Sequence, residues 1–484
     1  LATNYTNISE AYENYGFVYC FTNSIIDVGI SKPDDYSEQS VNDIINKIDD
    51  SSKNQSKSKN SDDKPNIIMI QLESFFDVDY MKGLKFSEDP LPVFHELTKN
   101  YSSGLLTVPT VGAGTVNTEF EVLTGMRQRD FGACEYPYKT VLRNMTSESI
   151  CNDLSKIGYT SHCVHMEYMN GLQENPNGWV NDDVIAPQII KTLDSTDGAD
   201  FTFGITVQSH GKYDVDTGDY EQKIKVLGAP EGMENQYNYY VNEIALVDKM
   251  LGNLIKRLEN RNEKTVLVLY GDHLPSLDIK ADELKNSDLY QTQYVIWDNF
   301  GLKKSDKDMA AYQLYSYVLN KIGIHEGLIT KYHQQTDWDS DYYLSGLKTL
   351  EYDWFYGDKY AYGGMNEFEK TDLQMGTYPV VLENVKRNSK GYIVKGKGFT
   401  DYTYIYFGGR KLEGYKIDSS HYQITDNIEY DEDEGYMSLQ MAKENNVADE
   451  DIPNAFMAKV IDADNVELSS SKPLLWNFTS LYLE

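Results

Sequence analysis

Long hydrophobic runs are missing from this chain. No stretch of its 484 residues approaches about 18 consecutive apolar side chains, so no segment reads as a membrane-crossing helix. Basic charge is also short, with 44 Lys and Arg against 76 Asp and Glu and a formal net charge of −32. Binding to a phosphate backbone needs clustered lysine and arginine, so nucleic acid is excluded as a partner. The acidic excess instead favours solubility and draws divalent cations. Cysteine is scarce. The four thiols (Cys20, Cys134, Cys151, Cys163) have no CxxC spacing, which excludes a cysteine zinc site and a disulfide framework. They read as mostly buried thiols. No internal repeat is found.

What is present is a globular composition, 40% hydrophobic with 39 tyrosines and 17 phenylalanines, long enough for two or three domains. The first residue is Leu1, so the chain reads as a processed or truncated piece that leaves room for an upstream anchor. Residues 1–63 read as an N-terminal extension, partly helical over Ala11 to Ile26, that ends in a flexible linker, DDSSKNQSKSKNSDD, from Asp49 to Asp63.

Asn66 to Leu72 is an apolar run of the kind found in a strand buried on both faces. Phe201 to Val207, Thr265 to Tyr270 and Tyr294 to Trp297 are of the same kind, and Tyr159 to Val164 is a further strand. Apolar residues at Tyr240, Ile244, Val247, Leu251, Leu254 and Leu258 mark one helical face between them. Strands alternating with helices predict an α/β domain, a central mostly parallel sheet flanked by helices, over residues 64–377. From residue 378 to 484 the texture changes to short aromatic strands such as Tyr402 to Phe407, which predict a small C-terminal β-sandwich.

Ligands of open α/β sheets bind outside the carboxyl ends of the strands. Two strands here end in metal-type side chains, the first in Glu73 and another in Asp272-His273. Each residue alone has a plain structural reading, Asp272 as a helix N-cap and His273 as a hydrogen-bonded surface residue. Gly112-Ala113-Gly114-Thr115 makes a tight turn into a helix-like run. There Thr115 is either an ordinary N-cap or a hydroxyl presented where the helix terminus favours phosphate. Taken together, Glu73, Asp272, His273 and the Thr115 hydroxyl give three oxygens and one imidazole nitrogen. That set suits Mn²⁺, Zn²⁺ or Mg²⁺, and a metal there would stabilise the Thr115 alkoxide as a nucleophile. His210 ends the Phe201 to Val207 strand segment and suits a phosphate ligand or a general acid. His162 and His165 end another strand and offer the same role. Trp179 and Arg127 read equally as substrate contacts or as packing and surface residues.

These segments, NIIMIQLES at Asn66 to Ser74, GTVNTEF at Gly114 to Phe120, Ser209-His210 and LYGDH at Leu269 to His273, resemble the lipoteichoic acid synthase-like glycerol phosphate transferases of the alkaline phosphatase and sulfatase superfamily. The resemblance covers about residues 64–340, and Tyr15 to Pro33 is similar to the extension before the catalytic domain. It implies that Thr115 becomes glycerophosphorylated. It also implies that Glu73, Thr115, Asp272 and His273 bind one divalent metal, usually manganese, and that His210 holds the substrate phosphate. The implied partners are the phosphatidylglycerol headgroup and a glycan or teichoic acid acceptor. The implied setting is the extracellular face of a Gram-positive membrane, with the chain a monomeric ectodomain held by upstream helices.

Two features depart from the family. His165 runs directly into Met166 to Asn170 where relatives carry a longer substrate-gripping loop, and the C-terminal module resembles an IPT/TIG immunoglobulin-like domain outside the minimal synthase. A phosphoethanolamine transferase or phosphodiesterase on the same scaffold, or a catalytically silent glycan-binding wall protein, is the alternative reading. The Cys/Ser-x-Pro-x-Arg signature of formylglycine sulfatases is absent around Thr115.

Overall fold

The computed structural model describes residues 16, 29–52, 64–132, 135–165, 173–218, 220–368, 380–428, 437–461 and 467–475. They fall into two compact units, divided between Phe368 and Val380.

The larger unit is built on a seven-stranded sheet. In chain order its strands are β1 (Asn66–Leu72), β2 (Ser102–Thr107), β3 (Thr160–His165), β4 (Asp200–Ile205), β5 (Thr265–Gly271), β6 (Gln291–Asp298) and β7 (Met309–Ala310). Their spatial order is β3-β4-β1-β5-β6-β2-β7. Strands β3, β4, β1 and β5 pair in parallel, and β6 alone is reversed against both neighbours. The expected α/β architecture with a mostly parallel sheet is therefore observed. All seven residues of β1 are buried. That is why its sequence lacks the apolar/polar alternation of a half-exposed strand. Ile67 and Met69 face a core shared with Val266, Val268, Val122, Leu314 and Val318.

Helices flank the sheet. They include α1 (Glu38–Ser52), α2 (Pro92–Asn100), α3 (Thr115–Thr124), α4 (Ile185–Leu193) and α5 (Glu234–Glu259). The predicted apolar face is buried in α5 from Tyr240 through Leu258. α1 continues to Ser52, so helix replaces the first four residues of the expected linker. Most of the expected N-terminal helical stretch, residues 53–63 of the linker, Cys20 and Cys134 lie outside the described residues. Cys151 is half-buried and Cys163 is exposed, contrary to the expectation of buried thiols. Cys163 sits on β3, the sheet's edge strand, which has a neighbour on one side only.

The smaller unit is all antiparallel. One sheet joins strands Val381–Asn388, Gly391–Lys397, His421–Ile424 and Gly414–Asp418, and a second joins strands around Thr403–Phe407 and Ala455–Ile461. Alternate residues of the two sheets, among them Val394, Tyr422, Ile405 and Phe456, share one core, which makes this a small β-sandwich.

Candidate active site

Strands β1 and β5 are adjacent, parallel and in register to their ends, with Leu72 beside Gly271. The residues that follow them therefore leave the sheet side by side. Gly271 permits this crossing, because a Cβ there would sit 1.9 Å from the Phe75 carbonyl oxygen. Glu73 and Asp272-His273 consequently meet, all three at most 3% exposed.

The third contributor is the start of α3. Gly114, at φ +96°, occupies the N-cap, and no side chain caps the helix. Thr115 is thus the first helical residue, and the simple capping role does not apply to it. Its hydroxyl donates to Glu73 Oε2 at 2.9 Å and lies 3.3 Å from His273 Nε2. Gly114 leaves no room for another residue, since a Cβ would approach Thr110 Cγ2 to 2.9 Å.

Asp272 begins no helix. Its Oδ1 accepts from the Ser74 and His273 backbone N–H groups, both at 2.8 Å. Its Oδ2 is buried with no hydrogen-bond partner and points to the same place as His273 Nε2, 3.4 Å away. The His273 Nδ1–H donates to the Leu274 carbonyl at 2.9 Å, which turns the Nε2 lone pair inward. Burial and the neighbouring Glu73 charge push the Asp272 carboxyl up to about 7. Burial opposes charge on His273, but the Asp272 and Glu73 carboxylates outweigh it and raise its pKa.

Ligand-type atoms of Glu73, Asp272 and His273 lie within 4.8 Å of one another. Two buried carboxylates, an orphaned carboxylate oxygen and an inward imidazole nitrogen lack a countercharge that a divalent cation would supply. The residues fit such an ion. Oxygen donors with one imidazole suit Mn²⁺, Mg²⁺ or Zn²⁺.

The cluster opens into a cavity of about 570 Å³ lined by Gly112, Ala113, His210, Lys212 and Ser276 together with Glu73, Thr115 and His273. His210 therefore joins the site. Its Nδ1–H donates to the Gly211 carbonyl at 2.5 Å, and its ring lies 4.3 Å from that of Trp179. His165 ends β3 at the same sheet edge, beside Ile205, but does not line this cavity. Residues 166–172 after it are outside the described residues, and with them most of the expected short loop. His162 Nε2 is 3.0 Å from Asp200 Oδ1, a hydrogen-bond contact, and His162 does not line this cavity.

Several supporting groups were not anticipated. Tyr270 donates to Gln71 Oε1 at 3.0 Å, and Gln71 Nε2 donates to the Thr115 carbonyl at 3.3 Å. Thr206 Oγ1 accepts the Glu73 N–H at 2.8 Å, and Thr118 donates to the Asp272 carbonyl at 2.8 Å. Gln71 had a readable signal, as the polar residue near the end of a run of buried aliphatics.

An open α/β sheet with acidic and imidazole side chains beyond its strand ends is the arrangement of an α/β enzyme with a candidate metal site. The chain belongs to the sulfatase family, whose profile matches residues 65–324. It is 26% identical over 303 residues to a putative cyclic β-1,2-glucan modification protein of Rhizobium meliloti, covering 54% of this chain and 46% of that protein. It is 23% identical over 271 residues to an uncharacterized protein of Haemophilus influenzae, covering 49% and 48%. The chain thus spans about half the length of the curated relatives it matches. The fold is shared with the Streptococcus pyogenes phosphoglycerol transferase GacH in complex with sn-glycerol-1-phosphate. The TM-score is 0.59 at 20% identity, over 69% of this chain and 97% of that one. The lipoteichoic acid synthase LtaP from Listeria monocytogenes is a more distant match, at TM-score 0.45 and 18% identity over 59% and 78%.

Proposed function

We propose that this protein is a phosphoglycerol transferase in which the Thr115 oxygen displaces diacylglycerol from the phosphate of phosphatidylglycerol, and a hydroxyl of a cell-envelope glycan or teichoic acid chain then displaces Thr115 from the covalent adduct. The observation that carries the reading is the Thr115 hydroxyl, held at a helix N-terminus 2.9 Å from Glu73 and facing an open cavity.

Glu73 accepts the hydroxyl hydrogen bond and directs the oxygen lone pairs outward. The first turn of α3 directs its backbone N–H groups and positive dipole end toward the non-bridging oxygens of an attacked phosphate. Lys212 and His210 line the same cavity, the first offering positive charge and the second, as imidazolium, an Nε2–H to the same group. The Gln71 amide fixes the Thr115 backbone while the hydroxyl reacts. A divalent ion held by Glu73, Thr115, Asp272 and His273, most simply Mn²⁺, would lower the pKa of the hydroxyl and neutralise developing charge. A glycan acceptor is in keeping with the name of the rhizobial relative, a putative cyclic β-1,2-glucan modification protein. No helix among the described residues is long and apolar enough to cross a membrane, and anchorage of this domain outside the cell through further segments is part of the proposal.

Incubation with Mn²⁺ and phosphatidylglycerol, followed by peptide mass spectrometry, tests the reading. A glycerophosphate adduct on Thr115 is expected. An adduct formed only with phosphatidylethanolamine would assign phosphoethanolamine transfer instead. An unmodified Thr115 with either lipid would remove the covalent mechanism.

A further inference from the structure

A second cavity, of about 440 Å³, lies on the flank of the nucleophile helix. It is lined by Val108, Pro109, Glu121, Arg127, Arg129 and two tyrosines, Tyr290 and Tyr312. Its volume falls within the ~300–1,000 Å³ of small-molecule sites.

Two segments tie it to the catalytic cavity. The loop that enters α3 contributes Val108 and Pro109 to this cavity and Gly112 to Gly114 to the other. α3 itself places Thr115 in one and Glu121 in the other. Those residues are six positions apart, or about 9 Å along a helix axis. They project about 120° apart around the helix, so a ligand that reaches both cavities follows the entry loop from Pro109 to Gly114.

One of the two guanidiniums in this cavity already has an acidic partner. The Arg127 guanidinium faces Asp130 at 3.6 Å, and the Arg127 backbone N–H donates to the buried Glu351 carboxyl at 2.7 Å. Burial pushes the Glu121 carboxyl up to about 8, so at neutral pH it is largely protonated, while its Oε1 accepts the Gln128 N–H at 2.9 Å. A neutral polyol would find donors from two guanidiniums, the phenols and carboxyl of mixed donor and acceptor character, and tyrosine ring faces beside the apolar surface of Val108 and Ala310.

We infer that this cavity binds a neutral sugar residue of the acceptor glycan and aligns the chain for transfer from Thr115. The inference rests on the phosphoglycerol transferase reading for the word acceptor, though not for the binding itself.

The test is calorimetric titration of the full chain with β-linked glucose and β-linked N-acetylglucosamine tetrasaccharides, and with glycerol phosphate as the anionic comparison. At least one tetrasaccharide is expected to bind wild type and Thr115→Ala alike. Arg129→Ala and Tyr290→Ala should each weaken it ~10-fold or more, as loss of a hydrogen bond to a charged or buried group does. Melting temperatures of both variants confirm that the fold is intact, and Arg129 is exposed enough for truncation to spare the core. Failure of both tetrasaccharides to bind overturns the inference, as does binding unchanged in both variants, or glycerol phosphate competing at Arg129. Thr115 labelling separates the two readings. Sugar binding without an adduct leaves the cavity assignment standing and removes the transferase, whereas an adduct without sugar binding does the reverse.

Discussion

Among the described residues the larger unit holds two acid-and-histidine clusters, and only one of them leaves a buried carboxylate oxygen without a hydrogen-bond partner. Glu73, Asp272 and His273 are buried, while Asp77, Asp79 and His95 lie nearer the surface. In the outer cluster His95 is bracketed by Asp89 at 3.0 Å and Asp77 at 3.3 Å. These hydrogen bonds, above all that to Asp77, push the imidazole up to about 9 against the opposing effect of burial. Its own proton supplies the positive charge. Asp77 also caps the short helix Val78–Tyr80 by accepting from the Asp79 N–H at 3.0 Å. In the inner cluster the His273 proton is spent on a backbone carbonyl and Asp272 Oδ2 has no partner. The same residue types make a structural ion-pair cluster in one place and the proposed ion site in the other. Burial and the direction of one N–H decide between them.

The sharpest break is at Thr115. Thr115→Ala should abolish adduct formation, a loss of about 10³-fold or more in turnover, read by mass spectrometry and phospholipid consumption. Asp77→Asn should leave the adduct intact in the same assay.

Metal removal comes next. Adding Mn²⁺ at about 1,000 times its Kd should stabilise wild type by about 4 kcal/mol, measured as a rise in melting temperature that a chelator reverses. Asp272→Asn should lose most of that gain, yet be no less stable than wild type without metal, because it relieves an uncompensated buried charge. A metal response lost in Asp77→Asn and kept in Asp272→Asn would reverse the comparison.

The outer cluster predicts a pH effect. The folded pKa of His95, about 9, lies above its unfolded value of about 6.5. Its stabilisation is therefore complete below about pH 6.5 and is lost as the pH rises through about 9. Asp77→Asn should flatten that slope in denaturant titrations between these values. The smallest effect belongs to Tyr270→Phe. It removes the hydroxyl that orients Gln71 and should cost about 1 kcal/mol of stability, with turnover reduced less than tenfold.

Much of the site was legible because buried parallel strands announce themselves. Asn66 to Leu72 and Thr265 to Tyr270 are near-continuous apolar runs, so a glutamate or an Asp-His pair directly after them lies at a strand end. The reversed direction of β6 was not legible, since Gln291 to Asp298 is buried through nearly all its length and such a run reads the same either way. Strand β2 was missed for the opposite reason. Ser102 to Thr107 is small, polar and only partly buried, so it carries little apolar signal. Gly114 took the cap expected of Thr115 because only glycine fits that left-handed position against Thr110. The cavity at Arg127 and Arg129 was invisible, for it gathers side chains from four distant parts of the chain.

The most direct test is anomalous scattering from crystals soaked in Mn²⁺. The account predicts one strong peak among Glu73, Thr115, Asp272 and His273, at about 2.0–2.3 Å from their ligand atoms. No peak there, or the principal peak at Asp77, Asp79 and His95, would contradict it.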